Sequence, residues 1–258
     1  MKLFLVSIPV LAVFISCQSA SEKEKKEEPG IEKAVENSSE IMTNPKKIAV
    51  ADIPAELKIT GKAQEVWKWT DKTGENILVT SVVEPYDDTE KNEYDEEGQT
   101  AELHAALFVK KDDRYQNTWM LNDKEKACPF DITCSFIPNS TTITDLDKNG
   151  FAEIKVQYLL ACRSDVSPAA MKIMMWENNN SYDLTGFSWL ETEPDAKFDV
   201  TAENVNLEKL PQIKNEMNEW LRTFGRYKSE KNFATAPAEF LTYARNEWLK
   251  YAKEKIGE

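Results

Sequence analysis

The sequence predicts an α+β domain: an antiparallel, β-rich body of about eight short strands within residues 60–200, then two C-terminal helices within 207–256. Three observations predict it. Apolar residues recur with period two in runs joined by tight turns as far as residue 200. No helical pattern separates those runs, so neighbouring strands pair antiparallel. The 3.6-residue period appears only near the C-terminus. Seven Trp, eight Tyr and eleven Phe supply the large side chains of a packed core.

Residues 66–70 and 77–83 flank Asp71-Lys72-Thr73-Gly74 and read as a hairpin, with Trp67 and Trp69 on its core face. Residues 84–100 hold eight acidic side chains against the single Lys91 and read as a loop between strands. Strand patterns return at 102–109 and 118–121, around the turn residues Asp112 and Asp113. Others follow at 132–137, 141–144, 152–160 and 170–176, the last turning at Asn178-Asn179-Asn180 into 182–185. Ile213, Met217, Trp220, Leu221 and Phe224 form one stripe of a helix that Gly225 can end. A second helix is expected from Thr235 as N-cap with Pro237 just inside, carrying Leu241, Ala244, Trp248 and Ala252 on one face.

The N-terminus reads as an export signal. Lys2 precedes an apolar run at 3–15, then the small Ser16, then Cys17, and the charge run 22–28 follows. As a helix the thirteen residues of that run would rise about 20 Å, short of the ~30 Å hydrocarbon core, so a spanning anchor is not expected. Residues 1–16 are therefore read as a signal peptide. Residues 17–46, rich in Lys, Glu, Ser and Asn, are read as a disordered charged tether, and 47–258 as one globular domain. Loss of residues 1–16 leaves 31 basic and 45 acidic residues, a surface that repels nucleic acid and excludes it as a partner.

Phe14-Ile15-Ser16-Cys17 resembles the lipobox of bacterial lipoproteins. The resemblance implies cleavage after Ser16, diacylation of the Cys17 thiol and acylation of the freed amine, and so a partner in the membrane. Two or more chains suffice for stable anchoring where one would be marginal. The run 21–28 also resembles the acidic, Lys-containing export signals of some Bacteroidota surface lipoproteins. The location expected is the outer membrane, facing the periplasm or exposed on the cell surface.

The sharpest internal motif is Asp145-Leu146-Asp147-Lys148-Asn149-Gly150-Phe151-Ala152-Glu153. Oxygen side chains at positions one, three, five and nine with Gly at six match a calcium loop, and Phe151 would offer its carbonyl at seven. Alternate residues of a tight loop converge on one cation while Gly permits the reversal. Position twelve is Val156 where a bidentate Glu belongs, and a strand pattern follows instead of a helix. A metal-free turn is the rival reading, because Asn-Gly is a hairpin signal by itself and Asp closes Asx turns alone.

Of Cys128, Cys134 and Cys162, one pair and one leftover thiol are expected in an oxidising compartment. A Cys128–Cys162 bridge would tie neighbouring segments across a 35-residue loop; Cys128–Cys134 is the rival. In the polar stretch after Cys162, Arg163 could pair with Asp165, hold an anionic sugar or phosphate through its planar fork, or clamp the loop.

Cys128-Pro129-Phe130-Asp131, Thr144 to Gly150, Ala161-Cys162-Arg163-Ser164-Asp165-Val166-Ser167-Pro168 and Met171-Lys172-Ile173 together resemble the bacterial envelope family catalogued as surface polysaccharide biosynthesis proteins. A weaker likeness extends to 240–244 and Trp248. The resemblance implies that Cys128 and Cys162 are family positions and Cys134 an extra, and it implies a link to coat polysaccharide or its assembly proteins.

Known reaction signatures are scarce. His104 is the one histidine, and no Walker loop, Gly-rich dinucleotide turn or His-Glu-x-x-His occurs. The expected function is a lipid-anchored, non-catalytic binding or assembly accessory for envelope polysaccharide, braced by calcium and one disulfide. Two alternatives stand beside it: a glycan hydrolase or lyase using a carboxylate pair, and a purely structural envelope lipoprotein.

Overall fold

The structure, a computed structural model, describes residues 42–92, 95–191 and 197–254. The expected signal peptide, Cys17 and nearly all of the expected tether lie outside the described residues. Five strands build the first sheet in chain order: β1 (Lys46–Ile48), β2 (Lys62–Asp71), β3 (Gly74–Asp88), β4 (Gly98–Lys111) and β5 (Arg114–Cys128). Every pair is antiparallel. The second sheet takes β6 (Asp131–Phe136), β7 (Thr142–Thr144), β8 (Glu153–Arg163), β9 (Ala170–Glu177) and β10 (Asn180–Phe187). Its order is β10-β9-β8-β6, with β7 also on β8. The domain is thus α+β with β dominant, with ten strands among the described residues where about eight were expected.

Side-chain alternation stacks these sheets. Leu103, Ala105, Leu107 and Val109 on β4 meet Ile154, Val156, Tyr158 and Leu160 on β8 in one buried layer, with Trp119 stacked on Trp176 at 5.6 Å. The opposite face of the second sheet, carrying Met171, Ile173, Met175, Tyr182 and Leu184, receives Phe240, Ala244 and Trp248 of the helix Ala238–Tyr251. The outer face of the first sheet buries Val66, Ile77, Val79 and Phe108 under Leu57 and Ile53. Burying both faces of a sheet is what aligns apolar residues on both parities of β9. The β4–β5 turn places Asp112 and Asp113 at φ 49° and 60°, as a two-residue hairpin of the twist-compatible type requires.

Four expectations need correction. The 84–100 loop is shorter than expected: β3 continues to Asp88, pairing Tyr86 with Thr100 and Asp88 with Gly98. A bulge between Val83 and Tyr86 accommodates Pro85, which cannot donate to the ladder. Residues 42–46, expected within the tether, are part of the folded domain: Thr43 exchanges hydrogen bonds with Thr70 and Met42 packs on the core. The second helix, α2, begins at Ala238 with Pro237 as its cap position, not Thr235. Had Thr235 been the cap, Ala236 would have to be helical immediately before a proline, which proline's ring disfavours.

The fourth correction concerns α1 (Glu216–Leu221), which is only six residues long and buries none of them. Met217 is 62% exposed, and Ile213, Trp220 and Leu221 are exposed as well. Only Phe224 of the expected stripe enters the core. Asn215 caps the helix through its side chain, and Gly225 reverses the chain at φ 75°.

Glu230 fastens α2 to the preceding loops. Its carboxylate accepts from Arg245 Nε and Nη2 at 2.7 and 2.6 Å, from Lys209 at 2.8 Å and from the Tyr227 hydroxyl at 2.5 Å. Burial raises the Glu230 pKa, but these donors outweigh it and hold the group down at about 2. The folded value lies below the ordinary 4.5, so the stabilisation is complete above about pH 4.5 and disappears as pH falls toward 2. Glu230→Gln is expected to lose on the order of 1–2 kcal/mol at pH 7 after allowing for solvent screening. Thermal melts of variant and wild type should converge between pH 4.5 and 2.

Candidate functional site

The 145–153 loop joins β7 to β8, and its geometry follows from its own side chains. Asp145 accepts from the Gly150 amide, Asp147 from the Asn149 amide at 3.0 Å, and Asn149 Oδ1 from the Phe151 amide at 2.8 Å. Gly150 adopts φ 81°, and a Cβ there would press within 2.8 Å of Lys72 Cε. Both glycine properties, left-handed backbone and absent side chain, are used at this one position. The turn brings carboxylate oxygens of the half-buried Asp145 and Asp147 and the buried Glu153 within 4.8 Å of one another, an acidic triad that could hold a metal ion.

Glu153 is 1% exposed and accepts from the Leu146 amide with both oxygens and from the Thr144 hydroxyl at 2.8 Å. Burial, reinforced by the charges of Asp147 and Glu177, pushes its carboxyl up to about 7 against those donors. Crowded carboxylates of this kind are relieved by a hard cation. Asn149 spends its amide on Asp147 at 2.9 Å and on Glu177 at 2.6 Å. Phe151 presents its ring to the Lys72 ammonium at 5.6 Å.

The β2–β3 turn docks on this loop. Lys72 Nζ donates to the Asn149 carbonyl at 2.5 Å, Lys72 N to the Gly150 carbonyl, and Ala152 N to Asp71 Oδ2 at 3.1 Å. Asp71 also accepts from Trp69 Nε1 and anchors Thr73 and Asn76. Sequence reasoning missed Asp71, Lys72 and Glu177 as members of this cluster. Lys72 and Asn149 are 77 residues apart, and no local spacing signals such a contact.

Cys128 and Cys162 form a disulfide with Cα atoms 5.4 Å apart. It joins the end of β5 in the first sheet to β8 in the second, where the chain crosses between layers. The rival Cys128–Cys134 pairing does not occur. Cys134 faces Leu160 across β6–β8 as a half-buried free thiol, and burial pushes its pKa up to about 11. Arg163 reaches the Ser167 carbonyl and the Glu254 carboxylate, and Glu254 also accepts from Ser188 at 2.6 Å and the Ala169 amide at 3.1 Å. The guanidinium therefore clamps the C-terminal segment to the β8–β9 connection. Asp165 accepts from the Ser167 amide at 2.9 Å and lies on the surface.

An acid-lined cleft of about 640 Å³ opens beside the disulfide, between Asp87, Asp88, Glu97 and the exposed Phe130. The Thr100 hydroxyl and the Glu90 amide hold the Asp88 carboxyl below its ordinary range, so it is poorly suited to donate a proton. His104 sits on the outer face of β4 with Nδ1 2.7 Å from Asn122 Oδ1 and Nε2 3.3 Å from Glu102. No helix among the described residues is long and apolar enough to cross a membrane. Comparison of the chain with protein families, with curated proteins and with solved structures finds no match.

Proposed function

We propose that this chain is a lipid-anchored protein of the bacterial outer envelope, serving as a non-catalytic binding or assembly accessory to surface polysaccharide. One observation carries the reading. Behind an export-type N-terminus, two of the three remaining cysteines are joined in a disulfide, a bond that persists in oxidising compartments outside the cytosol. Cys17, with its small upstream neighbour and charged downstream run, supplies the attachment, and the tether holds the domain off the bilayer. The polysaccharide link rests on the resemblance read in the 128–131 and 161–168 stretches of the sequence. A strain lacking the protein should show altered capsule or lipopolysaccharide; an unchanged coat would overturn the polysaccharide link.

The cation of the 145–153 loop is, on this reading, calcium. Its donors are hard oxygens, and an extracellular module needs only the 10⁻⁴–10⁻³ M affinity typical of such sites. After EDTA treatment, added calcium is expected to give a binding heat and to stabilise by about 1–3 kcal/mol at ten to a hundred times Kd. Asp147→Ala should abolish both effects. Unchanged melting with no heat would make the loop a plain turn.

A further inference from the structure

A second cleft, of about 330 Å³, opens where the chain beyond β10 meets the chain beyond α1. Trp189, Leu190, Leu221 and Phe224 are its apolar lining, and Lys197, Arg222 and Arg226 its cationic one, with Asp199 the one acidic lining residue. Trp220, beside the lining residue Leu221, stands edge-on to Phe224 at 4.6 Å and is 44% exposed.

Arg226 organises the site. Although its residue is 7% exposed, Nε donates to the Asn204 carbonyl at 3.0 Å, Nη1 to the Arg222 and Phe224 carbonyls, and Nη2 to Asp199 at 3.1 Å. The only carboxylate among these partners, Asp199, has a side chain 73% exposed. Every nitrogen of Arg226 is thus engaged, so it fixes the cleft's floor, and the more exposed Lys197 and Arg222 are left as the cations nearer a ligand. Arg222 gives its terminal nitrogens to Glu219 and the Pro211 carbonyl, while its Nε–H, shielded from solvent, has no acceptor. Lys197 meets no carboxylate among the described residues. Lys253 has only rings, lying 4.9 Å from the Phe198 centroid and 5.7 Å from that of Trp189. In a chain of net charge −13, three cations thus line this cleft beside Trp189 and Phe224, with Asp199 paired to Arg226 and Glu219 to Arg222.

We propose that this cleft holds an acidic sugar unit, its carboxylate or phosphate drawn to Lys197 and the arginines and its C–H face laid on Trp189 and Trp220. Cations select the anionic group, and indole faces receive the weakly positive C–H edge of a pyranose ring. The inference rests on the polysaccharide reading and names its substrate class: an acidic polymer, not a neutral one.

The test uses the full-length chain in detergent, titrated with tetragalacturonate, with maltotetraose as neutral control and vesicles containing phosphatidylglycerol as a third arm. Tetragalacturonate should bind at least tenfold more tightly than maltotetraose, and less tightly as salt rises. Lys197→Glu, on an exposed loop, should weaken it about tenfold, and Trp220→Ala should weaken it too. Equal affinity for both sugars, indifference to both substitutions, or binding only to the vesicles would overturn the cleft. If maltotetraose alone binds, the acidic cleft fails while the polysaccharide reading stands. If neither sugar binds, the cleft fails and the deletion strain's coat decides the broader reading separately.

Discussion

Glu247→Ala is expected to destabilise the fold by about 3–5 kcal/mol, because it strands a buried cation. Lys155 points from β8 toward α2 with a side chain 1% exposed, and its Nζ lies 2.6 Å from Glu247 Oε2. The Tyr251 ring, 5.2 Å away, is its other neighbour of note. Burial pulls the Lys155 pKa down to about 8 even with Glu247 beside it. Removing the carboxylate leaves desolvation without its compensating partner. The paired replacement Lys155→Met with Glu247→Leu should recover most of the loss, since an apolar pair of similar volume carries no desolvation cost. Denaturant melts of the two singles and the double would give the coupling. A cost below about 1 kcal/mol for Glu247→Ala would show that Lys155 is not held as described.

Removal of the Cys128–Cys162 disulfide is expected to cost about 3–4 kcal/mol, the chain-entropy value for a loop of this length. The partners are 34 positions apart in sequence and lie in different sheets. The bond therefore restrains the unfolded chain and also ties two layers at the point where the backbone crosses between them. Thermal melts with and without reductant should differ for the wild type and coincide for Cys128→Ser/Cys162→Ser. Coincident wild-type melts would mean that the bond does not form.

The hairpins of the first sheet were legible because strand patterning is local, while the division into two sheets was not. The 71–74 turn, the Asp112-Asp113 turn and the alternation along 102–109 need only neighbours within a hairpin, and each hairpin is where the spacing puts it. The stripe of Ile213, Met217, Trp220 and Leu221 misled for a related reason. Periodicity reports that one face is apolar but not which surface receives it. The face of β9 and β10 is already filled by Phe240, Ala244 and Trp248 of α2. Asp145, Asp147 and Glu153 were legible as ligand spacing within nine residues, and the structure brings them together. Lys72 and Asp71 were not, because their approach depends on how the first sheet stacks on the second, and Glu177 was not, because it is brought in by the pairing of β9 with β8. Arg163 illustrates the same limit: its open choice of partners closes on Glu254, 91 residues away.

The identity of the N-terminal residue in the membrane fraction tests the envelope assignment most directly. Mass spectrometry of the purified protein is expected to find a chain beginning at Cys17, carrying two acyl chains on the thiol and a third on the amine. A cytosolic chain running intact from Met1, with an unmodified thiol at Cys17, would contradict it.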